Sequence, residues 1–272
     1  MTNITDVSRM SGTSRDTYTY DTFTTGLILE DLRFKSTDPA PGDRVPDFDL
    51  EFINGARLRS DNLGGKPLLL VFGSRTCPVT VSARQPLADL HHKFGDRVRF
   101  VLVNTREAHP GEHIPQPKTS SQKREHATKL AAFMGAHFEV ALDDINGTFH
   151  QAMGPKPNSA YILSPDGVIL FRAHWANDTA SLAPALQAAV DGTQLRSGKS
   201  RRLVRPLLNA IGFLPGVVRD GGGKVERDVW RAVPPFAVLG HLSRLFFFLP
   251  TRSRGPAVAI TLAIAIIAAI WA

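Results

Sequence analysis

Pro67-Leu68-Leu69-Leu70-Val71-Phe72-Gly73-Ser74-Arg75-Thr76-Cys77-Pro78 joins an apolar run to the only cysteine in a chain of 272 residues. Residues 67–72 lie between Gly64-Gly65 and Gly73. A short apolar run bounded by glycine predicts a fully buried strand. Pro78 suits the first turn of a helix, where a missing N–H is no loss. Val81, Leu87, Leu90 and Phe94 then recur near helical spacing. Cys77 is thus predicted at a strand-to-helix turn, with its sulfur beside a helix N-terminus. The partial positive charge there favours thiolate, the reactive form. An inert buried cysteine is the competing expectation.

Working outward, Phe48, Leu50 and Phe52 alternate with acidic residues, the pattern of a half-buried strand. Asn54-Gly55 signals a hairpin, with residues 56–58 as the returning strand. Beyond the Cys77 helix, residues 98–103 (VRFVLV) form a second buried-strand candidate, and its end delivers Asn104 to Pro110. Ser120 to Met134 reads as a helix closed by Gly135. Residues 138–142 read as a strand, and Asp143-Asp144 offers an N-cap for a short helix to Met153. Residues 160–163 and 168–171 are strands joined by the turn Ser164-Pro165-Asp166-Gly167, before a last helix over residues 179–190. Parallel crossovers followed by a hairpin give an α/β fold, a central mixed sheet flanked by helices. Active sites in such sheets lie at strand ends, where Cys77 and the Glu107/His109 segment both fall.

The flanks divide the rest of the chain. Residues 1–38 are polar, lack the apolar core of a signal peptide, and read as a flexible N-terminal arm. Residues 39–192 hold the α/β domain. Residues 193–254 read as a basic linker with interfacial amphipathic helices, broken by Pro, Gly, His241 and Arg244. Twelve Lys/Arg against four Asp/Glu between residues 191 and 254 give +8 of a net +7, so the rest of the chain is near neutral. Residues 256–272 carry no charge and end in Trp271-Ala272, so 255–272 reads as a transmembrane anchor. Arg252 and Arg254 precede it, which by the positive-inside rule keeps the folded domain cytoplasmic. Anionic lipid then explains the basic stretch, and nucleic acid is not expected as a partner.

One cysteine excludes an internal disulfide, a Cys-rich metal site and a C-x-x-C redox pair. Any thiol cycle needs an external thiol or a second copy of the chain, which leaves room for a homodimer. Ser74 and Thr76 can each hydrogen-bond a thiolate, although ordinary turn chemistry explains them equally. Glu107 and His109 lie two apart at a strand end, so a carboxylate could hold an imidazole near the thiol. His91, His92, His113, His126, His137, His150 and His174 form no metal spacing and read as surface or core residues. No bound cofactor or metal is expected.

Gly42-Asp43-Arg44-Val45-Pro46-Asp47-Phe48 resembles the opening of thioredoxin-fold redoxins. The stretch from Pro67 to Pro78 resembles the active site of the iodothyronine deiodinases, with Cys77 where they carry selenocysteine. Arg106-Glu107-Ala108-His109-Pro110 matches their second signature; Ile114-Pro115-Gln116 and residues 154–163 align in style. The resemblance covers residues 41–190 and implies a thioredoxin-like fold with a reductive thiol mechanism. It implies Cys77 as nucleophile, supported by Ser74, Glu107 and His109, and Pro157 in the place of the cis-proline that faces the thiol. It further implies a small electrophilic substrate and regeneration by glutathione, thioredoxin or a similar thiol. Arg75 stands where many relatives carry a second cysteine. Two other readings compete. One is a one-cysteine peroxidase, for which Ser74 fits but Leu70 replaces a proline and only Arg75 or Arg172 can serve as the arginine. The other is a non-catalytic, membrane-tethered scaffold.

Overall fold

The computed structural model describes residues 18–135, 138–195, 197–200 and 202–271. The first seventeen residues of the expected arm, and His137, lie outside these. Helix α1 spans Thr25–Asp31. Strands β1 (Asp49–Phe52), β2 (Arg57–Arg59), β3 (Leu68–Gly73), β4 (Arg99–Asn104), β5 (Glu139–Leu142), β6 (Ala160–Leu163) and β7 (Ile169–Ala173) form one sheet, in the order β2-β1-β5-β4-β3-β6-β7. The central β3, β4 and β5 run parallel, and the outer pairings are antiparallel. With helices on both faces, this is the thioredoxin-like α/β fold.

Every residue of β3 is buried. Leu69 and Val71 face a core shared with α2 (Pro78–Phe94), α3 (Ser120–Met134) and α5 (Thr179–Asp191). Leu68, Leu70 and Phe72 face a second core with Phe48, Phe149 and Tyr161. Side chains alternate across a strand, so a strand covered on both sides must be apolar at both parities. The short helix α4 is confined to Thr148–Ala152, later than the aspartate pair suggests. Asp143 and Asp144 still cap it, by accepting the N–H groups of Thr148, Phe149 and His150 from the preceding loop.

Two segments differ from expectation. From residue 18 onward the arm is packed. The Tyr18 hydroxyl meets His150 Nδ1 at 2.7 Å and accepts the Arg106 N–H at 3.1 Å. The Phe23 ring lies 4.2 Å from that of His109. A few aromatic anchors hold a segment whose polar composition suggests a loose one. Likewise, residues 204–242 do not lie apart from the sheet. Helices α6 (Val204–Ile211), α7 (Leu214–Gly221), α8 (Gly223–Ala232) and α9 (Pro234–Leu242) cover the carboxyl ends of β3 and β4, with α6 and α7 against α2 and α8 against α1. Their apolar faces are buried here against protein, which competes with the bilayer contact inferred from amphipathicity.

The last helix, α10 (Thr251–Trp271), is long and apolar enough to cross a membrane. It packs on α6 near Gly255 and Gly212, where close backbone approach leaves no room for a Cβ. Beyond residue 259 it is exposed on every face.

The cap is held to the β4 loop at Gly111, whose added Cβ would overlap the Gly221 carbonyl and Val225. Gly111→Ala is expected to cost about 1–3 kcal/mol of stability and to speed proteolysis within residues 203–232. Unchanged melting and cleavage would show that the cap does not depend on this contact.

Candidate active site

Cys77 is the N-cap residue of α2, with extended backbone (φ −91°, ψ 115°) and Pro78 following in the first turn. The strand-to-helix turn is therefore where the sequence puts it. The electrostatics are not. Cys77 is only 2% exposed. Burial pushes its thiol up from 9.0 to about 11. The N–H groups of Val79 and Thr80 and the Thr80 hydroxyl favour thiolate, and the Asp31 carboxylate opposes it. A helix N-terminus contributes up to about 2 kcal/mol, and a charge stripped of water under the cap loses more. The resting side chain is a thiol, contrary to the thiolate expected from position alone.

The loops after β3 and β4 are stitched together by buried polar groups. The Glu107 carboxylate accepts the Thr76 N–H at 3.0 Å and the Thr76 hydroxyl at 2.6 Å. Thr76 Oγ1 in turn accepts the His109 N–H at 3.1 Å, and Ser74 Oγ accepts the Ala108 N–H at 3.1 Å. Gln116 clamps the main chain of Glu107 from both sides, accepting its N–H and donating to its carbonyl. Ser74, Thr76 and Glu107 thus fix the backbone that carries Cys77 and His109. Ser74 and Thr76 spend their oxygens on that frame instead of on the sulfur.

The carboxylate-to-imidazole contact exists, but with a different histidine. Glu107 Oε1 meets His126 Nδ1 at 2.9 Å. Strand alternation lets residues 107 and 109 share a side, but the chain leaves extended structure after Asn104, which removes the premise. His126, read from sequence as surface or core, comes in from α3 instead. His109 Nδ1 is buried with no hydrogen-bond partner. Burial holds this imidazole down at about 4, against the weaker opposing pull of Asp228 and Glu107. It is neutral at pH 7 and free to accept a proton.

Cys77 and His109 line one cavity of about 80 Å³, more than a single water fills. Pro157 and Trp175 line it from the β5–β6 and β7–α5 connections, and Phe23, Leu207, Leu214 and Phe236 close it from the segment before α1 and from the cap. The walls are almost wholly apolar. Pro157 faces the cavity as expected, but no described peptide bond is cis. The Lys156 carbonyl before it is held instead by the His150 ring at 2.8 Å. No arginine lines the cavity among the described residues. Arg75 pairs with Asp220 on α7 and stacks 4.0 Å over Phe133, and Arg172 bonds the carbonyls of Asp38 and Pro39.

Sequence reading missed Thr80, Trp175 and Asp31. Thr80, three residues after the N-cap cysteine, had a signal, since that position turns back toward the cap. Trp175 and Asp31 had none, because both reach the site only through tertiary packing.

No family model matches the chain, and no curated protein does. Solved structures superpose on part of the chain at low identity. A putative thiol:disulfide interchange protein DsbE from Chlorobium tepidum is 21% identical, covers 56% of this chain and 99% of its own, and superposes with a TM-score of 0.45. The peroxidoxin BcpB from Mycobacterium tuberculosis is 20% identical, with 58% and 99% coverage and a TM-score of 0.42. An uncharacterized thioredoxin-like protein from Porphyromonas gingivalis is 20% identical, with 57% and 96% coverage and a TM-score of 0.43.

A thiol raised to about 11 reacts as thiolate only in proportion to its ionised fraction. Alkylation of Cys77 by iodoacetamide is therefore expected to rise about tenfold per pH unit up to pH 11. Thr80→Val, which removes a hydroxyl favouring thiolate, should slow it further at pH 8. A plateau near pH 8 in the native chain would mean the sulfur is activated at rest.

Proposed function

We propose that this chain is a thiol-dependent oxidoreductase of deiodinase-like type, tethered to a membrane, in which Cys77 attacks a small electrophile. What carries the reading is the sharing of one apolar cavity by a buried thiol and a buried, unpaired imidazole. Neither a lone thiolate nor a lone imidazolium is tolerated there. Passing the proton from Cys77 to His109 creates both ions together, and their attraction offsets the two desolvation costs. The ion pair forms only in the closed cavity, with substrate at hand.

In the reaction, the Cys77 sulfur forms a bond to the halogen of R–X, and the R–X bond breaks. Its electron pair stays on R, which takes a proton to give R–H, while the sulfur is oxidised to S–X. One external thiol displaces halide to form a mixed disulfide; a second releases Cys77 and leaves as the disulfide. The chain has no second cysteine, so both equivalents come from glutathione, thioredoxin or a similar thiol. The peroxidase reading is the weaker one, because Arg75 and Arg172 are both committed elsewhere.

Full-length protein given an iodinated phenol and a dithiol is expected to release iodide. Cys77→Ser should abolish release and His109→Ala reduce it roughly a hundredfold or more. Turnover of hydroperoxide with glutathione but no iodide would replace this reading with the peroxidase. Neither activity would leave the tethered scaffold.

The membrane assignment rests on α10 and on the exposed Leu245, Phe247 and Phe248 just before it. Arg244, Arg252 and Arg254 flank that apolar patch and suit anionic headgroups on the cytoplasmic side. The protein is expected to float with vesicles containing phosphatidylserine and to resist salt and alkaline carbonate, yielding only to detergent. Release by salt alone would make the contact peripheral and remove the anchor.

A further inference from the structure

The cavity holds one more ionisable group, supplied by the segment whose composition suggested a loose arm. Asp31 ends α1 and lines the cavity with Cys77, His109 and Trp175. It is 6% exposed. Its main-chain oxygen is bonded by His174 Nε2, but among the described residues no hydrogen bond reaches its carboxyl oxygens. An unpartnered carboxyl nine-tenths buried in an apolar cavity is costly unless it serves a ligand or carries a proton.

Its surroundings decide the proton. Arg106 and Lys156 favour the carboxylate; Glu30 opposes it, and Tyr20 and Cys77 are close enough to interact with it electrostatically. Burial outweighs the cations and raises the carboxyl from 3.8 to about 7. His109, in the same cavity, is moved the opposite way, to about 4. Between those values the carboxyl holds a proton and the imidazole does not. Two groups pushed apart in this way divide the acid and base roles between them.

We propose that Asp31 is the general acid of the Cys77 site and protonates the group that the sulfur displaces. This rests on Cys77 being a nucleophile, but not on the identity of its substrate. His109 takes the thiol proton. The sulfur bonds to X, the R–X bond breaks, and its electron pair on R takes the Asp31 proton. The carboxylate left behind recovers a proton from the His109 imidazolium. The sum is thiol plus R–X giving S–X plus R–H, with both residues restored. The same accounting holds when X is the sulfur of a disulfide and R–H is a thiol.

Disulfide exchange tests this without assuming a substrate. Full-length protein is reacted in single turnover with 4,4′-dithiodipyridine, whose leaving group departs as a stable anion. It is then reacted with diethyl disulfide, whose alkyl thiolate leaves poorly unless protonated. Asp31→Asn is expected to lower the ratio of alkyl to aryl rate about a hundredfold, and Asp31→Glu to restore part of it. In the native chain that ratio should fall as pH rises through 7, and the Asn variant should lose this dependence. Equal loss with both reagents would reduce Asp31 to a structural role, and an unchanged ratio would remove it altogether. A native Cys77 inert to both would overturn the proposal outright. Absence of iodide release, with the ratio behaving as stated, would sink only the dehalogenation reading.

Discussion

The sulfur of Cys77 is buried, and the ionisation of the site follows from that burial. A helix N-terminus in contact with solvent would hold a thiolate ready. Here α1 and the cap helices close over it, so the thiol rises to about 11 and the neighbouring imidazole falls to about 4. Both groups are neutral at rest. In the proposed reaction Cys77 and His109 become charged together, when a proton moves from one to the other.

The frame that makes this possible is polar and lies just behind the cavity. Glu107 joins Thr76 to His126, Gln116 grips Glu107, and Ser74 holds Ala108. The hydrogen bonds of these side chains tie the turn after β3 to the loop after β4. Removing a member would leave a buried partner unsatisfied, at about 1–3 kcal/mol. These residues act on the chemistry through the position of the backbone and not by touching the reacting atoms.

The cap has two faces with different duties. Leu207, Ala210 and Ile211 of α6 line the cavity, while Leu208 on the same helix and Gly212 just after it meet the start of α10. Displacement of α10 would therefore be felt at the cavity wall. The basic residues of this region lie mostly on its outer surface, among them Arg202, Arg205, Arg219, Arg227, Arg231, Arg244 and Arg252. Net positive charge is thus concentrated away from the thiol and does little to stabilise its ionised form.

The sheet was legible in the residues because strand burial writes itself as local pattern. Residues 67–72 are apolar at both parities, Asn54-Gly55 needs a hairpin, and Gly135 ends a helix, all within a few residues of chain. The position of Cys77 at the head of α2 was legible for the same reason, as was the apolar run of α10, although that helix begins at Thr251, ahead of the expected 255. The ionisation of Cys77 was not, since it depends on helices more than a hundred residues further on. The partner of Glu107 and the arrival of Asp31 were equally hidden, because His126 reaches Glu107 only once α3 has packed and Asp31 reaches the cavity only once α1 has. Local sequence determined the elements and the placing of the sulfur. Long-range packing alone decided how much water reaches it, and burial sets the pKa values on which the chemistry depends.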